Sequence, residues 1–289
     1  MTAQEWLRKA ADSLRAAGIA DADSDAWILF SHVTGMSRMD YSLDRNRSLD
    51  EDGVRRLEIL LDKRKQRIPV QQLTGEAWFM GYSFRVNEHV LIPRMDTETL
   101  VEAVLIRLAR VPAAEDGARR VLDMCTGSGC ILLSLLKEVS ELSGTGADIS
   151  EEALKVAREN AARLDCEAQF IKSDLWENIE GTYQIIVSNP PYIVREVIST
   201  LDEEVKDHEP MLALDGGEDG LDFYRKIIAD AHRFLAPKGL LAFEIGYDQG
   251  QALMELLKQA GYMNIEILTD LAGLDRVALG WKADEQQEE

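Results

Sequence analysis

The sequence predicts an α/β fold: a doubly wound, mostly parallel sheet of seven strands, preceded by a small helical module and a hairpin. Three observations predict it. From about residue 94, short apolar strands alternate with amphipathic helices, the pattern of successive β-α-β units. The first ~70 residues carry helical periodicity and no strand pattern. Between them "EAWFMGYSFRVNEHVLIP" (76–93) places aromatic and β-branched residues around Gly81-Tyr82, as a hairpin does. The expected organisation is a helical domain over 1–75, a hairpin linker over 76–93, an α/β domain over 94–283 and a frayed tail over 284–289.

Each element has its own signal. "AQEWLRKAADSLRAAGI" puts Trp6, Leu7, Ala10, Leu14 and Ala17 near one helical face, with Gly18 as a stop. "DADSDAWILFSHVTGM" forms a second helix. "SLDEDGVRRLEILLDKRKQRI" forms a third, with a Ser/Asp start and a basic end before Pro69, as capping and the helix dipole prefer. Helices follow in "TETLVEAVLIRLARV", "GCILLSLLKEVSEL", "SEEALKVARENAARL", "LDFYRKIIADAHRFL" and "DQGQALMELLKQAG". The strands are "RRVLDMC", a weak one ending in "ADIS", "AQFIKSD", "YQIIVSNP", "GLLAFEIG", "NIEILTD" and "RVALGW". The last two are too close for a crossover helix and should pair antiparallel. "LSGTGADIS" is rich in glycine, so its strand is expected to be short.

Bulk properties narrow the class. Of the 289 residues, 46% are hydrophobic, enough for a sizeable core. No segment approaches the roughly 18 apolar residues of a membrane span. The N-terminal stretch is amphipathic and charged throughout, unlike a signal peptide, so a cytoplasmic protein without membrane attachment is expected. Cys125, Cys130 and Cys166 have no metal-like spacing and are expected to be small buried residues in a reducing compartment. His32, His89, His208 and His232 are scattered, so no metal site is expected. Residues 1–75 carry 12 basic and 12 acidic side chains, which leaves the entire net charge of −20 in residues 76–289. Phosphate contacts dominate duplex binding, so this acidic half argues against direct contact with nucleic acid.

Two stretches carry chemistry. "VLDMCTGSGCILL" runs from a strand into a helix, so Gly127 and Gly129 let a ligand approach the backbone near free helix amides. Asp148 follows the next strand, 19 residues after Gly129, where a carboxylate suits the two hydroxyls of a ribose. A dinucleotide or another adenosine-containing cofactor would fit. Leu132 stands where the dinucleotide fingerprint has its third glycine, which weakens that alternative. Asp174-Leu175-Trp176 closes another strand and could bracket an adenine. The second stretch is "IIVSNPPYI" (185–193). Proline cannot donate to a sheet ladder, so the strand stops near Ser188 and Asn189 stands at its carboxyl end. The Asn189 side-chain oxygen and the Pro190 carbonyl can both accept from one NH2 group, with Tyr192 against its flat face. Such a grip aligns a poorly nucleophilic planar nitrogen on an electrophilic methyl, the task of proximity catalysis.

"NPPY" after an apolar strand, with "LDMCTGSG" upstream, resembles the class I S-adenosylmethionine-dependent methyltransferases with their Rossmann-like sheet. More narrowly, "PVQQLTGEAWFMGYSFRVNEHVLIPRMDTETLVE", "ADISEEALKVAREN", "SNPPYI", "HEPMLALDGGEDGLDFYRKII", "EIGYDQG" and "DLAGLDRVALG" resemble the HemK/PrmC family, protein-(glutamine-N5) methyltransferases of peptide chain release factors. The resemblance spans nearly the whole chain. It implies S-adenosyl-L-methionine as cofactor, held by Cys125, Thr126, Gly127, Ser128, Gly129, Asp148, Asp174, Leu175, Trp176 and Asn189. It implies that Asn189, Pro190, Pro191 and Tyr192 hold the glutamine, with Asn189, Pro190 and Tyr192 catalytic. The protein substrate would be a bacterial release factor, methylated on the glutamine of its Gly-Gly-Gln loop and gripped partly by the helical domain.

The chain departs from the family pattern at three places, one of them the glycine-rich, weak strand of "LSGTGADIS". Cys125 stands where the family usually has glycine. A left-handed backbone there would weaken cofactor binding; with Gly127 and Gly129 kept, the change is expected to be harmless. Tyr183-Gln184 replaces the usual Phe-Asp and is expected to alter only packing. Alternatives of other classes are a ribosomal-protein glutamine methyltransferase, an adenine-N6 methyltransferase and a catalytically inactive binding module.

Overall fold

The computed structural model describes residues 1–284. The helical periodicity of the N-terminus becomes α1 (Ala3–Ala16), α2 (Ala22–Thr34), α3 (Arg38–Leu43), α4 (Glu51–Lys65) and α5 (Val70–Thr74). The hairpin is β1 (Glu76–Phe79) and β2 (Tyr82–Arg85). Then come α6 (Met95–Arg107), β3 (Arg119–Met124), α7 (Cys130–Glu138), β4 (Leu142–Asp148), α8 (Glu151–Arg163), β5 (Ala168–Lys172) and β6 (Tyr183–Ser188). Two short helices, α9 (Arg195–Ile198) and α10 (Glu203–Lys206), precede α11 (Asp222–Phe234), β7 (Leu235–Glu244), α12 (Gly250–Gln259), β8 (Met263–Thr269) and β9 (Asp275–Trp281). Among the described residues no helix is long and apolar enough to cross a membrane. The tail expected over 284–289 lies, apart from Asp284, outside the described residues.

The chain forms two compact units, one of Met1–Glu76 with Asp202–His208, the other of Ala77–Leu201 with the described residues from Glu209 onward. The helical unit closes over Trp6, Leu14, Leu29, Phe30 and Leu57, all fully buried. Thr2 and Glu5 cap α1 reciprocally. The sequence reading left 202–208 with the sheet, and one buried cation explains why it packs with the helices instead. Arg64 is 7% exposed and bonds Asp25 at 2.7 Å and Glu204 at 2.9 Å. A guanidinium removed from water needs such partners, and Glu204 on α10 supplies the second.

In the second unit the seven-stranded sheet has the order β5-β4-β3-β6-β7-β9-β8. The five strands from β5 to β7 run parallel, and β9 pairs antiparallel with both β7 and β8, as their spacing requires. Chain order reverses direction between β3 and β6, so this is the crevice where open α/β sheets take ligands. Met124 pairs with Ala147 on one side and Ser188 on the other. The loops after β3, β4 and β6 therefore leave the sheet side by side.

Three expectations are corrected here. β4 is a seven-residue strand, not a short one. Its glycines admit neighbours: a Cβ on Gly144 would lie 2.6 Å from Leu132 Cδ1, and one on Gly146 would lie 2.9 Å from the Phe170 ring. β7 begins at Leu235, four residues before the expected Gly239, across an irregularity at Lys238 (φ 60°). Gln184 does more than pack, since its Oε1 accepts the Arg120 amide at 2.8 Å.

The hairpin turns through Met80 and Gly81, both at positive φ (50° and 77°), the conformation a tight two-residue hairpin prefers. Several α8 side chains hold it, and Asn160 is the buried one among them. Asn160 Oδ1 accepts the Arg85 amide at 2.6 Å, and Nδ2 donates to the Arg85 carbonyl at 3.0 Å and to the Ser128 carbonyl at 2.9 Å. Asn160 is wholly buried, so truncation strands three backbone groups. Asn160→Ala is expected to lower unfolding stability by about 2–3 kcal/mol in urea titrations, from unmade buried hydrogen bonds.

Candidate functional site

A cavity of about 300 Å³ opens over the carboxyl ends of β3, β4, β5 and β6. Its floor is the turn after β3. Thr126 Oγ1 donates to Asp123 Oδ2 at 2.6 Å, and the Thr126 amide bonds the Ala147 carbonyl at 2.9 Å. These bonds fix the loop so that α7 starts at the cavity without a side-chain N-cap. The uncapped amides and the positive end of the helix dipole favour a carboxylate.

Asp148 forms one wall. Its Oδ2 accepts the Gly127 amide at 2.9 Å and its Oδ1 the Ser150 amide at 2.9 Å. Burial pushes its pKa up, and these two amides oppose that shift. Each oxygen keeps a lone pair, so a vicinal diol can be received as well. Asp174 and Leu175 line the next wall, with Leu175 at φ 48° and its carbonyl accepting from Ser173 Oγ at 2.6 Å. Ile149, Phe223 and Leu212 supply apolar surface, and Lys226 is also present. A cradle of helix amides, a diol-accepting carboxylate and an apolar slot fits an adenosine-bearing molecule with an amino-acid end.

Asn189 follows β6 and lines the same cavity with Pro191. Its Nδ2 donates to Thr97 Oγ1 at 3.4 Å, which leaves Oδ1 as the acceptor it can offer a ligand. Pro190 is buried and stands outside the lining. Tyr192 also stands behind it, with its hydroxyl donating to Glu244 Oε1 at 3.1 Å. Burial is the main cause raising the Tyr192 phenol, with the Glu244 charge adding to it.

The structure thus brings together Cys125, Thr126, Gly127, Ser128, Asp148, Asp174, Leu175, Asn189 and Pro191 around one cavity. It does not bring Trp176 there. That ring stacks on Phe234, centroids 4.7 Å apart and planes 3° from parallel, and its Nε1 donates to the Lys226 carbonyl at 3.4 Å. The better stacking partner is aromatic and lies on α11, which a reading of 174–176 alone does not reveal. Gly129 caps α7 just behind the lining.

Cys125 has φ 62°, so the condition under which its side chain carries a cost is met. A left-handed backbone costs a non-glycine residue about 1–2 kcal/mol. Burial raises the Cys125 thiol, which therefore stays protonated. Of the three cysteines only Cys130 is buried, whereas Cys125 and Cys166 are half-buried.

The sequence reading assigned no role to Arg94, Thr97 or Asp123. Arg94 lines the cavity and pairs at 2.6 Å with Glu209, whose other oxygen accepts the Ile92 amide at 3.2 Å. Thr97 is brought in by α6, about ninety positions before its partner Asn189. Asp123 is wholly buried with Oδ1 unpartnered, and this desolvation pushes its carboxyl up to about 7. A polar residue near the end of an otherwise apolar strand was the available signal. Among the described residues, no group of three or more His, Cys, Asp and Glu is placed to hold a metal ion.

Two outcomes follow. Cys125→Val, which adds a β-branch at positive φ, is expected to cost about 1–3 kcal/mol in thermal unfolding, whereas Cys125→Gly keeps the fold. Asp123 gives a pH signature. Its folded pKa of about 7 lies above the ordinary 3.8, so folding takes up a proton between those values. The stability contributed by this group is present below pH 3.8 and lost as pH rises to about 7. Urea titrations across that window are expected to show a shallower decline for Asp123→Asn than for the unsubstituted protein.

Residues 5–75 match the family model "PrmC N-terminal domain", and residues 102–262 match "Methyltransferase small domain". A release factor glutamine methyltransferase of Agrobacterium fabrum is 41% identical over 278 residues, covering 96% of both chains. One of Caulobacter vibrioides is 42% identical over 277 residues, covering 94% of both. A crystal structure of a methyltransferase from Pyrococcus furiosus shares the fold, with a TM-score of 0.53 at 18% identity over 77% of this chain and 99% of that one. With this similarity over nearly its full length, the chain belongs to the release factor glutamine methyltransferase family.

Proposed function

We propose that this protein transfers a methyl group from S-adenosyl-L-methionine to the side-chain amide nitrogen (N5) of the glutamine in the Gly-Gly-Gln loop of bacterial release factors, in the cytoplasm. The observation that carries the reading is Asn189. It stands at the carboxyl end of β6 with Nδ2 tied to Thr97, facing the cavity that Asp148 and the glycine loop also line.

S-adenosylmethionine bound in the cavity would supply an activated methyl on a cationic sulfonium. Asp148 would receive the ribose hydroxyls, the α7 amides the carboxylate, and Leu175 with Asp174 the adenine. The glutamine amide gives one hydrogen to the Asn189 side-chain oxygen, and the Pro190 carbonyl, although outside the cavity lining, is the second acceptor that the turn offers. That grip fixes the plane of the amide, so that the face carrying the nitrogen lone pair would be turned toward the methyl. Orientation of this kind supplies much of a barrier reduction without any base. No base is needed before attack, because the nitrogen sheds its proton only once it carries positive charge. Pro190 and Pro191 keep the grip rigid at little entropic cost.

The same features weigh against the nucleic-acid alternative. Residues 76–289 carry the whole net charge of −20, which repels a phosphate backbone. Leu212, 66% exposed at the cavity rim, offers apolar surface to a protein loop.

Mass spectrometry of an unmethylated release factor incubated with this protein and S-adenosylmethionine tests the reading. One added CH2 on the Gly-Gly-Gln glutamine is the expected result. Cofactor binding by calorimetry without that gain rules out this substrate. Asn189→Ala is expected to lower methyl transfer by roughly a hundredfold or more while keeping most of the cofactor affinity. Equal loss of both places Asn189 with the cofactor rather than the glutamine.

A further inference from the structure

Two blocks of the sequence, "DGGEDG" (215–220) and "EIGYDQG" (244–250), have no part in the methyl-transfer reading, yet both converge on the turn that carries Asn189. Gln249 is 8% exposed and stands at the N-cap of α12, where its side chain makes no cap bond. Its carboxamide goes to other backbone groups instead. Oε1 accepts the Gly246 amide at 2.9 Å, and Nε2 donates to the Tyr192 carbonyl at 3.0 Å and the Gly220 carbonyl at 3.3 Å. Each of these partners has a fixed polarity, so the carboxamide has one orientation. Exchanging its ends would set its oxygen against two carbonyls and its NH2 against an N–H.

The 215–220 loop meets the same peptide. The Ile193 amide donates to the Leu214 carbonyl at 3.0 Å, the Gly216 amide to the Ile193 carbonyl at 2.8 Å, and the Arg195 amide to the Gly217 carbonyl at 2.9 Å. The close approach requires two glycines. A Cβ on Gly216 would lie 2.7 Å from the Tyr192 backbone, and one on Gly220 would overlap the Tyr192 carbonyl oxygen. Glu244, at the head of the second block, takes the Tyr192 hydroxyl at 3.1 Å. Tyr192 is thus held at its ring and at its carbonyl by two residues of one block.

We propose that Gln249 is a positioning residue: with Gly216 and Gly220 it clamps the Tyr192 carbonyl and so fixes the exit of the Asn-Pro-Pro-Tyr turn. The inference rests on the reading of that turn as the holder of the glutamine amide. A turn with two prolines has lost two of its own backbone donors, so its anchors must come from elsewhere. At its entry the Ser188 hydroxyl donates to the Met124 carbonyl at 2.6 Å. At its exit β6 has already ended. The proline rings fix φ at 190 and 191 but leave ψ of Pro191 and the Tyr192 dihedrals free to turn. A donor on the Tyr192 carbonyl removes that freedom. The Pro190 carbonyl and the Tyr192 ring then keep one orientation relative to Asn189, as a grip on a planar amide requires.

The test is made on the full-length protein. Tyr192-Ile193 is the only Tyr-Ile pair in the sequence. Tyrosine labelled with 13C at its carbonyl and isoleucine labelled with 15N therefore give one coupled resonance, which reports on the Tyr192 carbonyl. Gln249→Glu keeps the size of the side chain and the acceptor for Gly246, but turns the donor into an acceptor. It is expected to displace this resonance and to lower kcat for methyl transfer to an unmethylated release factor by roughly ten- to a hundredfold. The calorimetric affinity for S-adenosylmethionine should hold, because Asp148 and the α7 amides follow from β4 and β3. Gly216→Ala crowds the same peptide, is expected to act in the same direction, and carries the test if Gln249→Glu does not fold. A Tyr192 resonance unmoved in both variants overturns the proposal, and so does a displaced resonance with unchanged kcat. A cofactor affinity that falls in step with kcat overturns it as well, because a general loosening of the site would do that. If the unsubstituted protein methylates no release factor, the substrate reading fails, and the resonance in Gln249→Glu still decides whether the clamp holds Tyr192.

Discussion

Met124 is paired in parallel with Ala147 on one side and Ser188 on the other, and the rest of the site depends on that register. Ser188 reinforces it, since its hydroxyl donates to the Met124 carbonyl at 2.6 Å in a fully buried position. The glycine loop, Asp148 and Asn189 each follow directly on one of these three residues. A one-residue slip would send every side chain on the slipped strand to the opposite face and move its loop along the sheet edge. Three stretches spread over the 64 positions from Met124 to Ser188 converge because the ladder admits no other alignment.

Around that register the protein satisfies buried polar groups one by one. Asn160 ties the hairpin and the glycine loop to α8, and Glu209 ties the Ile92–Arg94 segment beside the cavity. Thr126 occupies one oxygen of Asp123. In the helical unit Arg64 performs the same task with Asp25 and Glu204. Each costs desolvation and is offset only while its partners stay in place, so these groups act as pins that hold backbone segments at fixed positions.

Strain accompanies the pins at the ligand-facing turns. Cys125 and Leu175 both take positive φ, and both line the cavity. Residues forced into sparsely populated backbone regions persist only where their surroundings over-determine them, and such sites cluster where ligands bind. Cys125 shows how a local rule can be misjudged. The two remaining glycines of the loop suggested that the position was undemanding, yet the turn from β3 into α7 uses the left-handed conformation at all three.

Long elements were legible because periodicity needs length. α1, α2, α4, α8, α11 and the apolar strand β6 all announced themselves, whereas α3, α5, α9 and α10 have only four to six residues and show no period to read. β4 was read as weak because its glycines lack strand propensity, and propensity yields to the close approach of Leu132 and Phe170.

By itself the sequence determined the alternation of elements, the stop of β6 at two prolines, and the residue types of the glycine loop, Asp148 and Asn189. These are local properties, encoded in backbone chemistry and periodicity over a few neighbouring positions. Only the tertiary structure decided that Trp176 stacks on Phe234 instead of lining the cavity, that Cys125 is left-handed, and that Thr97 and Glu244 stand behind Asn189 and Tyr192. Those facts depend on which distant side chains share a buried space. A donor or acceptor removed from water must take the partner that packing brings to it, and no local stretch of sequence specifies that partner.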